Sequence, residues 1–67
     1  MTINELLAIY DALTDARDLF EREMCKARIT DMTSEEGYYE HKMVATESAM
    51  QITRRELIDK YRCDPEL

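Results

Sequence analysis

From Thr2 to Ile29 the chain runs without a glycine or a proline, and within that run Leu6, Leu13, Phe20 and Ala27 recur seven residues apart. Ile9, Ala16 and Met24 occupy the intervening i+3 or i+4 positions, so the apolar residues line one side of a helix as a continuous stripe. Ile3, Tyr10, Ala12 and Leu19 widen that stripe to about half the circumference of a helix that turns about 100° per residue. Thr2-Ile3-Asn4-Glu5 has the form of a capping box, in which a hydroxyl and a glutamate satisfy each other's backbone N–H groups. The pattern predicts a helix over residues 3–29.

Ile29-Thr30-Asp31-Met32 breaks the periodicity and predicts a loop over residues 30–33. Thr33-Ser34-Glu35-Glu36 reads as a second capping box, with two carboxylates where the positive end of a helix dipole favours them. A second helix is expected over residues 34–62. Lys60 and Arg62 complement its C-terminal dipole, and Asp64-Pro65 stops it, leaving a short tail over residues 63–67. Gly37 is an awkward early residue, costing about 1 kcal/mol relative to alanine. This helix carries two apolar stripes. Tyr39, Met43, Met50, Leu57 and Tyr61 form one; Tyr38, Ala45, Ala49 and Ile52 form another roughly 120° away, with Thr46 and Thr53 between them. One stripe can serve a partner helix in the same chain and the other a different surface.

The expected fold is therefore all-α: a two-helix antiparallel hairpin forming a single domain. Ordering 67 residues costs on the order of 100 kcal/mol at about 1.5 kcal/mol each, and one layer of two helices buries little apolar surface to offset it. Self-association into a homodimeric four-helix bundle is the expected remedy. Leu6, Ile9, Leu13, Ala16, Phe20, Met24, Tyr39, Met43, Met50, Leu57 and Tyr61 are the expected core and self-association residues. In such a hairpin Cys25 and Cys63 differ in height by roughly 35 Å, at about 1.5 Å per residue. An intramolecular disulfide needs Cα atoms within about 7 Å, so both are expected as free thiols, as in a cytoplasmic protein.

Fifteen acidic against nine basic residues give a net charge of −6. A chain this acidic is ill-suited to neutralising phosphates, and nucleic acid is not an expected partner. The one basic cluster, Arg54, Arg55, Lys60 and Arg62, is accounted for by dipole compensation and i,i+4 pairing. Asp11, Asp15 and Asp18 share one side of the first helix as an acidic strip, with Arg22 placed to pair with Asp18. They and Tyr38 are the candidate partner-binding residues. His41 is the single histidine, and no glutamate stands three residues before it, so the di-iron bundle motif fails. No glycine-rich phosphate loop, paired-cysteine motif or calcium loop is present, and neither a metal, a cofactor nor an enzymatic activity is expected. No run of about 18 apolar residues predicts a membrane span.

The stretch Ile3-Asn4-Glu5-Leu6-Leu7-Ala8-Ile9-Tyr10, the Asp31-Met32-Thr33-Ser34-Glu35-Glu36 loop, the length and the acidity together resemble a group of phage proteins. These are the small helical-hairpin proteins encoded in the early region of lambdoid bacteriophages, between the exonuclease and excisionase genes. The resemblance implies a non-enzymatic, helical, dimeric accessory protein acting in the cytoplasm of the infected bacterium through contacts with a host or phage protein. It carries over no individual functional residue. The alternative expectation is an acidic inhibitor that mimics nucleic acid on a basic host protein.

Overall fold

The capping box at Thr2 forms as the sequence dictates. The Glu5 N–H donates to the Thr2 hydroxyl and the Thr2 N–H donates to Glu5 Oε1. That backbone bond, with the Thr2 hydroxyl after it, holds the Glu5 carboxyl below its ordinary range. In the computed structural model, which describes residues 1–67, helix α1 then runs over Ile3–Ile29 and helix α2 over Thr33–Tyr61. The two pack as an antiparallel hairpin measuring 44 × 19 × 14 Å, with no strand.

The connection differs from the sequence expectation at the start of α2. Thr33 and Ser34 do not cap: the N-cap is Met32, which makes no side-chain hydrogen bond to the helix. The reason lies at the end of α1. Asp31 takes the left-handed conformation (φ 60°), the Asp31 N–H donates to Arg28 O, and the Met32 N–H donates to Ala27 O at 2.8 Å. These are the two bonds of a Schellman closure. They draw Met32 back onto α1 and leave Thr33 already inside the next helix. The Glu36 carboxylate, expected to reach back to its own cap, accepts instead from Arg28 Nε at 3.1 Å. At the other end of α2, Arg62 is left-handed (φ 55°), and its N–H donates to Ile58 O. This closure turns residues 62–67 back toward the helices.

The two helices meet along a seam with alternating three- and four-residue steps, the spacing of a coiled-coil stripe. On α1 it passes through Leu6, Tyr10, Leu13, Arg17, Phe20, Met24 and Ala27; on α2 through Glu36, Tyr39, Met43, Thr46, Met50, Thr53 and Leu57. Every one of these side chains is buried or half-buried. Full burial is confined to Leu6, Tyr10, Ala27, Met50, Thr53 and Leu57. Tyr10 and Thr53 thus sit deeper than most of the apolar residues singled out from the sequence. Ile9, Leu13, Ala16, Phe20, Met24, Tyr39 and Met43 are half-buried. Tyr61 is the exception in the expected stripe: it is exposed, because α1 begins at Ile3 and offers no helical residue opposite it. Its hydroxyl donates to the Met1 carbonyl instead. The seam hydroxyls are satisfied within α2, Thr46 by Lys42 O and Thr53 by Ala49 O, as i−4 bonding allows. Arg17 is the seam's polar interruption. Its Nη2 reaches Asp18, while its buried Nε has no hydrogen-bond partner.

Candidate interaction surface

Two antiparallel helices are related by a two-fold axis normal to their common plane. Residues that precede seam positions therefore lie on one broad face in both helices, and residues that follow them lie on the other. The two faces differ sharply in chemistry. The preceding face carries Ile9, Ala12, Ala16 and Leu19 from α1, and Tyr38, Ala45, Ala49 and Ile52 from α2. Its central stretch holds one charge, Lys42; Glu23, Lys26 and Glu35 follow toward the loop, and Glu5 and Glu56 toward the open end. The following face carries Asp11, Asp18, Glu21, Glu40 and Glu47, with Arg28 and Arg54 toward its two ends.

On the apolar face the second stripe of α2 is left uncovered, with Ile52 71% and Tyr38 56% exposed. Near the loop end, Tyr39 lies between two rings. Phe20 is tilted at 6.4 Å between centroids, and Tyr38 meets it edge-on at 5.1 Å. Lys42 Nζ stands over Tyr38 at 5.0 Å and over Phe20 at 5.7 Å. A cation over rings this exposed contributes about 0.5–1 kcal/mol. Lys42 has no carboxylate partner within the hairpin.

Of the candidate partner-binding residues, Tyr38 belongs to this apolar face, whereas Asp11 and Asp18 lie on the acidic face and Asp15 on the outer edge of α1. All three aspartates are exposed. Asp18 pairs with the adjacent Arg17 at 3.2 Å, not with Arg22, because Arg17 leaves its seam position through its tip and takes the neighbouring carboxylate. His41 and Cys25 line different surface hollows. His41 sits beside Gly37, Glu40 and Val44, and Cys25 beside Asp18, Glu21, Arg22 and Lys26. Both cysteines are free thiols. No group of three or more metal-ligating side chains is assembled, and no helix is long and apolar enough to cross a membrane.

The open end of the hairpin is closed by a polar clasp that the sequence reading missed. Arg54 holds Asp64 with both prongs of its guanidinium, Nε to Oδ1 at 3.0 Å and Nη2 to Oδ2 at 2.8 Å. Its Nη1 reaches Glu66 Oε2 at 2.9 Å. The Tyr10 hydroxyl donates to Glu66 Oε1 at 2.8 Å, and the Glu66 N–H donates to Asp64 Oδ1. Side chains from α1, α2 and the tail thus form one network. The Arg54 fork, then the Glu66 N–H, holds the Asp64 carboxyl below its ordinary value. Burial, reinforced by Glu66, raises the Tyr10 hydroxyl above its ordinary value. Arg54 was assigned from the sequence to dipole compensation. Its partners lie ten and twelve residues away, beyond any helical spacing, so local pattern alone could not find them. Lys60 does follow that assignment, pairing with Glu56 at i,i+4 and 2.8 Å.

The fold and its surfaces define a two-helix hairpin with one apolar and one acidic broad face. Comparison with protein-family models, curated proteins and solved structures yields no match.

Proposed function

We propose that this chain is a non-catalytic, self-associating interaction protein. On this reading it is a small accessory protein of the lambdoid early-region kind that acts on host or phage development through protein–protein contacts. The observation carrying this reading is the mismatch between apolar content and burial. The chain is 45% hydrophobic, yet only six of 67 residues are buried in the hairpin. Apolar surface left uncovered and flanked by polar residues marks interaction sites. The test is light scattering over a concentration series with circular dichroism on the same samples. A helical particle near twice 7.9 kDa is expected. A helical monomer at every concentration would overturn self-association.

A second reading has an observation of its own. Asp11, Asp18, Glu21, Glu40 and Glu47 are all exposed on one broad face, and only Asp18 among them is paired, with Arg17. A surface of that sign suits a basic protein, as in an acidic inhibitor that mimics nucleic acid. It predicts capture of a basic nucleic-acid enzyme that weakens steeply between low and high salt. Charge reversal at Asp11 and Glu47 should abolish capture while leaving the particle mass unchanged.

A further inference from the structure

We infer that the apolar face is covered by the same face of a second copy, with the loop end of one hairpin over the open end of the other. This rests on the proposed self-association and goes beyond it by assigning the face and the direction.

Three observations point to this occupant. The first is area. A compact protein of 7.9 kDa exposes about 4,400 Å² by the general scaling of surface with mass, whereas this chain exposes 4944 Å². The excess of about 500 Å² is most of the roughly 800 Å² that each partner buries in a standard interface. The second is shape. Ala12 and Ala16 on α1 and Ala45 and Ala49 on α2 lie near mid-height, while Ile9 and Ile52 lie toward the open end and Leu19 and Tyr38 toward the loop. Small residues at the centre let two such faces approach closely. Turning one copy end for end then sets the isoleucines of each chain against the Leu19 and Tyr38 region of the other.

The third is charge. Toward the loop this face carries Lys42, then Lys26 paired with Glu23 at 3.3 Å, and Glu35, which together sum to zero; at the open end it carries the three carboxylates Glu5, Glu56 and Asp59. Stacking two copies in the same direction opposes the three carboxylates to themselves. Reversing one copy sets them against the charge-balanced loop half of the partner, which holds Lys42, a lysine with no carboxylate partner in its own chain. The opposite face, with its five acids, would repel its own copy. A two-fold interface is self-complementary, and of the two broad faces only the apolar one meets that condition.

The experiment compares two exposed aliphatic residues on opposite faces by analytical ultracentrifugation. Ile52→Glu on the apolar face should raise the dimer dissociation constant by more than about 100-fold, since it places an unpaired charge in the interface. Val44→Glu on the acidic face should leave it within about 3-fold of the parent, as expected for a surface charge outside an interface. Helicity of both variants is read on the same samples, and both positions are more than half exposed in the hairpin. A dimer broken by Val44→Glu and not by Ile52→Glu would overturn the face assignment while leaving self-association standing. Direction is read by charge reversal. Lys26→Glu should weaken the dimer about 2- to 5-fold, and adding Asp59→Lys should restore it, the range expected of an exposed ion pair. No loss with Lys26→Glu, or no restoration, would overturn the reversed arrangement.

Discussion

Leu57 is the only large side chain wholly removed from solvent, at 0% exposure, and replacing it tests where the hairpin keeps its stability. It sits at the open end, level with Leu6 and Tyr10 of α1 and one turn from Thr53, the stretch where burial is densest. Leu→Ala in a core removes three carbons' worth of transfer energy and leaves a cavity, costing about 2–5 kcal/mol. The tail at this end can partly collapse into the space, which places the expected loss near 3 kcal/mol within that range. A domain of 67 residues has roughly 3–10 kcal/mol in total, at about 0.05–0.15 kcal/mol per residue. Leu57→Ala should therefore remove a third or more of the stability and lower Tm by roughly 12–24 °C, at about 4–8 °C per kcal/mol. The assay is thermal and urea unfolding by far-UV circular dichroism, at one fixed chain concentration because self-association shifts apparent stability by mass action. Ile29→Ala is the reference. It also truncates an aliphatic side chain, but at 85% exposure and outside both the seam and the apolar face, and should stay within about 0.5 kcal/mol. A Leu57→Ala loss below about 1 kcal/mol, or one equal to that of Ile29→Ala, would refute the claim that the seam's open end carries the fold.

Gly37 is helical, and a Cβ built there meets nothing within 4 Å, so Gly37→Ala should stabilise α2 by about 0.5–1 kcal/mol in the same unfolding assay. Arg17 occupies a seam position with its Nε unpartnered, and Arg17→Leu should raise stability by about 1 kcal/mol, read as a higher urea midpoint at unchanged slope. Asp64 gives a pH test. Its carboxyl is depressed by Arg54, so its contribution is present above the unfolded value of 3.8 and is lost as pH falls through the lower folded value. The tail should stay docked at neutral pH and release in acid, seen as loss of amide-proton protection at Glu66, and Asp64→Asn should abolish that acid transition. On the alkaline side Tyr10, raised above 10.0, contributes below that value and loses its contribution as pH rises through the higher folded one. Ultraviolet titration should show a tyrosine ionising above the ordinary value, and Tyr10→Phe should remove that component.

The parts of this structure legible in the sequence are those set by periodicity and by local hydrogen bonding. The seven-residue recurrence from Leu6 to Ala27 marks the face of α1 that meets α2, and Thr2 with Glu5 fixes where α1 begins. The parts that were not legible depend on contacts between segments. Thr33 and Glu36 have the form of a capping box, but the closure over Asp31 carries Met32 onto α1 and leaves Thr33 nothing to cap. Tyr61 has the right spacing for the seam, and what removes it is the start of α1, on a different helix. The Arg54 clasp needs Arg62 to turn the chain back before Asp64 and Glu66 can arrive. Each of these is decided by where one element ends relative to another, and that is information no single helix pattern contains.

The two stripes of α2 have a consequence that links the fold to the proposed interface. An amphipathic helix in a two-helix layer needs one apolar side, and Tyr39, Met43, Met50 and Leu57 supply it. Tyr38, Ala45 and Ile52 stay exposed in the hairpin, and exposing them carries a solubility cost that glutamates in their places would avoid. The other broad face shows that this chain can present a polar surface, for Glu40 and Glu47 stand at positions of α2 equivalent by reflection across the seam. Apolar residues are thus concentrated on one face of a hairpin whose opposite face, Val44 apart, presents acids along its middle. In the proposed reversed dimer this asymmetry makes one interface self-complementary and the other self-repelling, so association closes at two copies. A variant with Glu40 and Glu47 both changed to alanine should lose that stop, giving particles heavier than the dimer at concentrations where the parent stays at twice 7.9 kDa. A particle of unchanged mass would show that charge on the acidic face does not limit assembly.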